Sequence, residues 1–125
     1  MNEYPRSVRE VRAQIKKDIE FNIINGKYNH SYKLPSILEI CEMYKCGKST
    51  AQRVLNEMCN EGTATKQQGI GYFVKPYISK KLLQKYIDEV EIKIEQIVQE
   101  SCSLGIKYNT LKVMLLNKLE EIYKK

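Results

Sequence analysis

A capping signature at Ser36 to Glu39 most constrains what this chain can fold into. In the S-x-x-E pattern the Ser side chain takes an amide of the first helical turn, and the Glu side chain reaches back to the cap amide. Pro35 directly before it stops any upstream helix. A helix therefore starts at Ser36, with Ile37, Ile40 and Cys41, joined by Met43 or Tyr44, on one apolar face. Lys45-Cys46-Gly47 breaks it. A second helix is predicted from Lys48 to Asn60, because Ala51, Val54, Leu55 and Met58 recur at helical spacing. Gly62 stands where a helix end calls for positive φ. Two short β-type runs, Thr63-Ala64-Thr65 and Tyr72-Phe73-Val74, surround Gly69-Ile70-Gly71. Two helices on a short turn followed by a hairpin make a winged helix-turn-helix pattern, in a chain that is mainly α with a small β-hairpin.

Upstream, Ser7 follows Pro5 and is placed to cap a first helix. Val8, Val11, Ile15, Ile19 and Ile23 form its apolar stripe, and Asn25-Gly26 ends it. Arg6, Arg9, Arg12, Lys16 and Lys17 fall mostly off the stripe and read as a solvated face. Asn29 to Lys33 reads as a loop. His30 is the only histidine, and no Ser, Cys or carboxylate stands around it in a catalytic spacing.

Pro76 closes the hairpin and divides the chain into residues 1–77 and 78–125. In the tail, Leu83, Ile87, Val90, Ile94, Ile97, Ser101 and Leu104 alternate steps of four and three, an a/d seam widened by Tyr86 and Val98. Gly105 breaks that helix. A last helix from Lys107 to Tyr123 carries Leu111, Met114 or Leu115, Lys118 or Leu119, and Ile122. A helical hairpin of this kind cannot bury both faces alone, so the seam, Leu83, Ile87, Val90, Ile94, Ile97 and Leu104, is expected to dimerise.

The 125 residues allow one domain with a small appendage and leave no room for a large separate ligand-binding domain. Net charge is +6, and residues 1–77 carry 12 Lys and Arg against 8 Asp and Glu, a mild bias towards a polyanionic partner. The N-terminus lacks an apolar h-region, so no signal peptide is expected. No apolar run approaches bilayer length, so no membrane partner is expected either. The chain reads as cytoplasmic. Cys41, Cys46, Cys59 and Cys102 include no C-x-x-C pair and read as free thiols without a metal or other cofactor. No nucleophile–base pair, paired carboxylates or nucleotide-cradling loop suggests an enzyme.

The order and spacing of these fragments resemble the DNA-binding domain of GntR-family transcriptional regulators. Leu34-Pro35-Ser36, Glu39-Ile40-Cys41, Lys48-Ser49-Thr50-Ala51, Glu61-Gly62 and Gly69-Ile70-Gly71-Tyr72-Phe73-Val74 follow the family's pattern over about forty residues, a length short enough for one winged helix-turn-helix unit. Cys41 stands where the family has a small buried Ala. The resemblance implies a partner, double-stranded DNA. Lys48, Ser49, Thr50, Gln52 and Arg53 would sit at the groove-entering end of the second helix, Ser36 on a phosphate, and Gln68, Gly69 and Gly71 at the wing.

The short helical tail is similar to the small YtrA-like subfamily, whose members dimerise through two C-terminal helices and often repress. The implied function is a homodimeric repressor on a palindromic operator. An unknown small-molecule effector is a further expected partner, in a pocket where the tail meets the winged helix near Tyr86, Tyr108 or Tyr123; the alternative reading of these aromatics is core or interface. The departures are specific: Leu38, Gln52 and Ile70 stand where the family usually has arginines, and Lys48 replaces another. Arg presents a bidentate fork, whereas Leu and Ile present nothing polar, and Gln suits adenine. These losses support the alternative of a winged-helix protein-interaction module without sequence-specific DNA binding.

Overall fold

Ser7 begins the first helix as its sequence suggests: its side-chain oxygen accepts from the Glu10 amide at 3.1 Å. The computed structural model describes residues 7–29 and 31–124, so Pro5, Arg6 and His30 lie outside the described residues. Helix α1 runs Val8–Ile24, α2 Ile37–Tyr44 and α3 Lys48–Asn60; strands β1 and β2 are Ala64–Gln67 and Gly71–Val74; helices α4 and α5 are Ile78–Ser103 and Tyr108–Tyr123. The chain divides into two compact units between Gln84 and Lys85.

The core of the first unit is built from the predicted stripes. Ile15, Ile19 and Ile23 of α1 are buried with Ile40 of α2 and Ala51, Val54, Leu55 and Met58 of α3. Leu34, Ala64, Tyr72, Val74 and Leu82 complete the cluster. Val8 departs from its stripe: it is the first residue of α1 and is 63% exposed. On α2 the choice falls to Tyr44, whose hydroxyl donates to Asp18 of α1 at 2.7 Å, while Met43 stays exposed. Two of the α1 cations do more than face solvent. Arg12 pairs with Glu57 at 3.3 Å and Lys16 with Glu61, tying α1 to α3.

The hairpin pairs antiparallel, Ala64 with Val74 through Gln67 with Gly71. Its first strand starts at Ala64, one residue later than the sequence suggests. The Thr63 amide is spent on the turn out of α3, donating to Met58, while its carbonyl accepts from Lys75 across the hairpin. The segment read as a plain loop also contributes to the sheet. Lys33 bridges to Phe73, the Leu34 amide donates to Tyr72 at 2.9 Å, and the Val74 amide donates to Tyr32 at 2.7 Å. This third partner covers the free side of β2, which an isolated two-stranded hairpin leaves open.

In the second unit Gly105 closes α4 with φ +79°, and the Ile106 amide donates to Ser101 at 3.0 Å. Ser101 is buried beside this turn. Most other apolar side chains of the unit are uncovered, and α5 buries no residue at all.

Candidate nucleic-acid interface

Helix α3 has two faces of opposite chemistry. Ala51, Val54, Leu55 and Met58 are all fully buried. Lys48, Ser49, Gln52, Arg53 and Asn56 lie on the exposed side, at the one- and four-residue steps that keep them together on a helix. Thr50, between the faces, is half-buried. The helix starts at Gly47, which supplies no side-chain cap. The first-turn amides of α3 are therefore left without the intrachain acceptor that Ser36 gives α2, and such amides favour an anion.

Arg53 is lightly held. Its Nε is 3.8 Å from the Glu57 carboxylate, which already accepts from Arg12, and its side chain is 67% exposed. An exposed pair of this kind contributes only a few tenths of a kcal/mol, ~0.3–0.5.

Ser36 caps α2 in the reciprocal arrangement read from the sequence: its oxygen accepts from the Glu39 amide at 3.1 Å, and the Glu39 carboxylate accepts from the Ser36 amide at 2.9 Å. That backbone hydrogen bond, with the Ser36 hydroxyl second, holds the Glu39 carboxyl below its usual value.

The wing stands beside α3. Gln68, Gly69 and Ile70 form its exposed tip, closed by the Ile70 amide donating to Gln67 at 3.0 Å. Gly69 has φ +75° and Gly71 φ +144°, conformations that favour glycine. At Gly71 a Cβ would also meet Lys33 at 3.3 Å.

Two residues that the sequence reading passed over set the geometry here. Asn56 accepts from the Tyr72 hydroxyl at 3.3 Å and so joins α3 to β2. Lys33 lies under the wing through its bridge to Phe73. Asn56 was accessible from helical spacing, one turn beyond Gln52; the Lys33 pairing has no local signal. Lys66 adds a second cation, its ammonium 5.7 Å from the Tyr72 ring centre. Of the expected residues, Ser36, Lys48, Ser49, Thr50, Gln52, Arg53, Gln68, Gly69 and Gly71 all belong to the first unit. Two of the positions where arginine was expected hold exposed apolar side chains, Leu38 at 65% and Ile70 at 61% exposure; the other two hold Lys48 and Gln52, both exposed.

Comparison with known proteins bears on this arrangement. The profile of the gntR family of bacterial regulatory proteins matches residues 11–74, just over half of the chain. An uncharacterised HTH-type transcriptional regulator of Bacillus subtilis (strain 168), YurK, is 34% identical over 71 residues, which are 56% of this chain and 29% of YurK. The chain thus spans less than a third of that relative's length. A GntR family transcriptional regulator from Listeria monocytogenes has a TM-score of 0.71 at 18% identity, over 94% of this chain and 98% of its own. A transcriptional regulator from Oenococcus oeni has a TM-score of 0.73 at 17% identity, over 95% and 97%. Identities this low show the fold. The family profile runs from α1 to the end of the wing, across the capping box, the two-faced third helix and the glycine-tipped hairpin. On those residues the chain belongs to the gntR family of bacterial regulatory proteins.

Proposed function

We propose that this chain is a homodimeric, sequence-specific DNA-binding regulator, a repressor, that reads a palindromic operator with α3 and the wing. One observation carries the reading: the outer face of α3 is wholly polar, its N-terminus is uncapped, and a glycine-tipped wing with Lys33 and Lys66 stands beside it. In this reading Lys48, Ser49, Gln52 and Arg53 enter the major groove, and Gln52 prefers adenine. Thr50 and Ser36 hold phosphates. Gln68, Gly69 and Gly71 let the wing backbone approach the duplex.

Residues 1–77 bind DNA and residues 78–125 dimerise. Support for a second copy is the uncovered seam on α4 and the turn that follows it: Leu83, Ile87, Val90, Ile94, Ile97 and, in the turn, Leu104 are 40–71% exposed. On α5, Met114, Leu115, Leu116, Leu119 and Ile122 are also about half-exposed. An apolar arc this wide suits a helix between two neighbours, as in a bundle of two hairpins. The two-helix tail also favours the small YtrA-like branch, whose members often repress.

A cytoplasmic site of action fits these roles, and no helix among the described residues is long and apolar enough to cross a membrane. For an effector, the first unit offers a groove of about 880 Å³ between α1, α2 and the loop after α1, bordered by Asp18, Asn22, Tyr28 and Tyr44.

The test is binding of a fluorescent duplex pool across salt concentrations. The logarithm of affinity falls linearly with the logarithm of salt, and Lys48→Ala, which removes a cation from the duplex-facing end of α3, makes that dependence shallower. A salt-independent complex would contradict the reading. The exposed Leu38 and Ile70 favour the second reading, a protein-docking module. Capture of a protein partner by a chain that binds no duplex would establish it.

A further inference from the structure

Where β2 meets α3, one buried tyrosine holds two outward polar groups. Tyr72 is 5% exposed, and its hydroxyl donates to Asn56 Oδ1 at 3.3 Å. Its ring lies under the Lys66 ammonium, 5.7 Å from the ring centre. Lys66 stands directly opposite Tyr72 across the hairpin, and such cross-strand partners share a face of the sheet. The backbone of Tyr72 is held as well, because its carbonyl accepts from the Leu34 amide at 2.9 Å. Asn56 and Lys66 are both exposed, and no ion pair among the described residues involves Lys66. A fixed hydroxyl and a fixed ring thus set where one amide and one ammonium stand.

We propose, resting on the duplex reading of α3 and the wing, that Asn56 and Lys66 form a site for one phosphodiester of the DNA backbone, with Tyr72 as its positioning residue. The occupied Oδ1 selects the ligand. An asparagine that reads adenine needs its oxygen to accept from the base while its nitrogen donates. Asn56 spends its oxygen on Tyr72 and presents two N–H donors, which suit a group that only accepts. Lys66 adds a positive charge, so that group is an anion. Position selects the backbone. Asn56 lies about 12 Å along the α3 axis from Lys48, at 1.5 Å per residue, and so stands back from the end that enters the groove. A phosphate strand separates the major groove from the adjacent minor groove, and with α3 in one and the wing at the other it passes between them.

The test measures binding of the full chain to the fluorescent duplex pool at several salt concentrations, with a melting curve for each variant. Asn56→Ala should weaken binding roughly tenfold, the order of one hydrogen bond to a charged group, with the salt slope unchanged. Asn56→Asp keeps an oxygen for Tyr72 but meets the phosphate with a carboxylate, and should weaken binding further. Lys66→Gln should make the slope shallower by about 0.9, the share of one phosphate. Tyr72→Phe keeps the ring and removes the hydroxyl. It should weaken binding several-fold at an unchanged slope, and should add nothing in a chain that already carries Asn56→Ala. Wild-type affinity in Asn56→Ala and Asn56→Asp, or an unchanged slope in Lys66→Gln, would overturn the proposal. So would a Tyr72→Phe effect undiminished beside Asn56→Ala, since the hydroxyl would then serve only the shape of the wing. Asn56 and Lys66 are exposed, so their variants decide even if Tyr72→Phe melts early. A wild type that binds no duplex would sink the duplex reading and this site together; a wild type that binds no better than the variants would sink the site alone.

Discussion

At the scale of the residue, Tyr44 shows how one hydroxyl fixes the packing of a short helix. Its O–H donates to Asp18 at 2.7 Å and joins α2 to α1. Burial first, and then the hydrogen bond and charge of Asp18, push its pKa well above the ordinary value of 10.0. A tyrosine whose folded pKa is raised is held in its protonated form by the fold. Its contribution to stability is complete below the unfolded value and is lost as pH rises from about 10 through the folded value. Tyr44→Phe should therefore flatten the alkaline fall in melting temperature above pH ~10. Melting curves at stepped pH check this. An alkaline limb of unchanged steepness in the variant would show that other groups govern it.

At the scale of the element, α2 has only 8 residues, too few to persist in isolation, and depends on its cap and its single fully buried residue, Ile40. Ser36→Ala removes the acceptor for the Glu39 amide and should cost about 0.5–2 kcal/mol in denaturant unfolding. A cost near zero would mean that packing alone sets the start of α2. The start of α2 and the whole of α3 were legible in the sequence, because capping and helical spacing are local signals carried by Ser36, Glu39, Ala51, Val54, Leu55 and Met58. The pairing of Lys33 with Phe73 was not, since it joins segments forty residues apart and Lys33 lies in a short run bounded by turn formers, Ser31 before it and Pro35 after. Thr63 was misplaced for a related reason: it has strand propensity, but the turn out of α3 takes its amide, and only its carbonyl is left to pair across the hairpin, with Lys75. The outward residues of α3 were legible as a face. The bond from Asn56 to Tyr72 was not, because it depends on where the wing lies.

At the scale of the whole molecule, the proposed reading of a palindrome requires two copies. The seam on α4 is exposed in a single chain, and an apolar surface of that kind is where the proposed second copy would dock. Ile94→Glu places a charge in the middle of the seam and should convert the protein to monomer in sedimentation, with the melting of the first unit unchanged. A dimer that survives the substitution would move the interface elsewhere.

The most direct measurement is selection of bound duplexes from a random library, with wild type beside Gln52→Ala and Thr50→Ala. The account predicts a palindrome with half-sites about one helical turn apart, an altered preference with Gln52→Ala, and a uniform weakening with Thr50→Ala. Weak, sequence-blind binding by wild type, with no palindrome recovered, would contradict it.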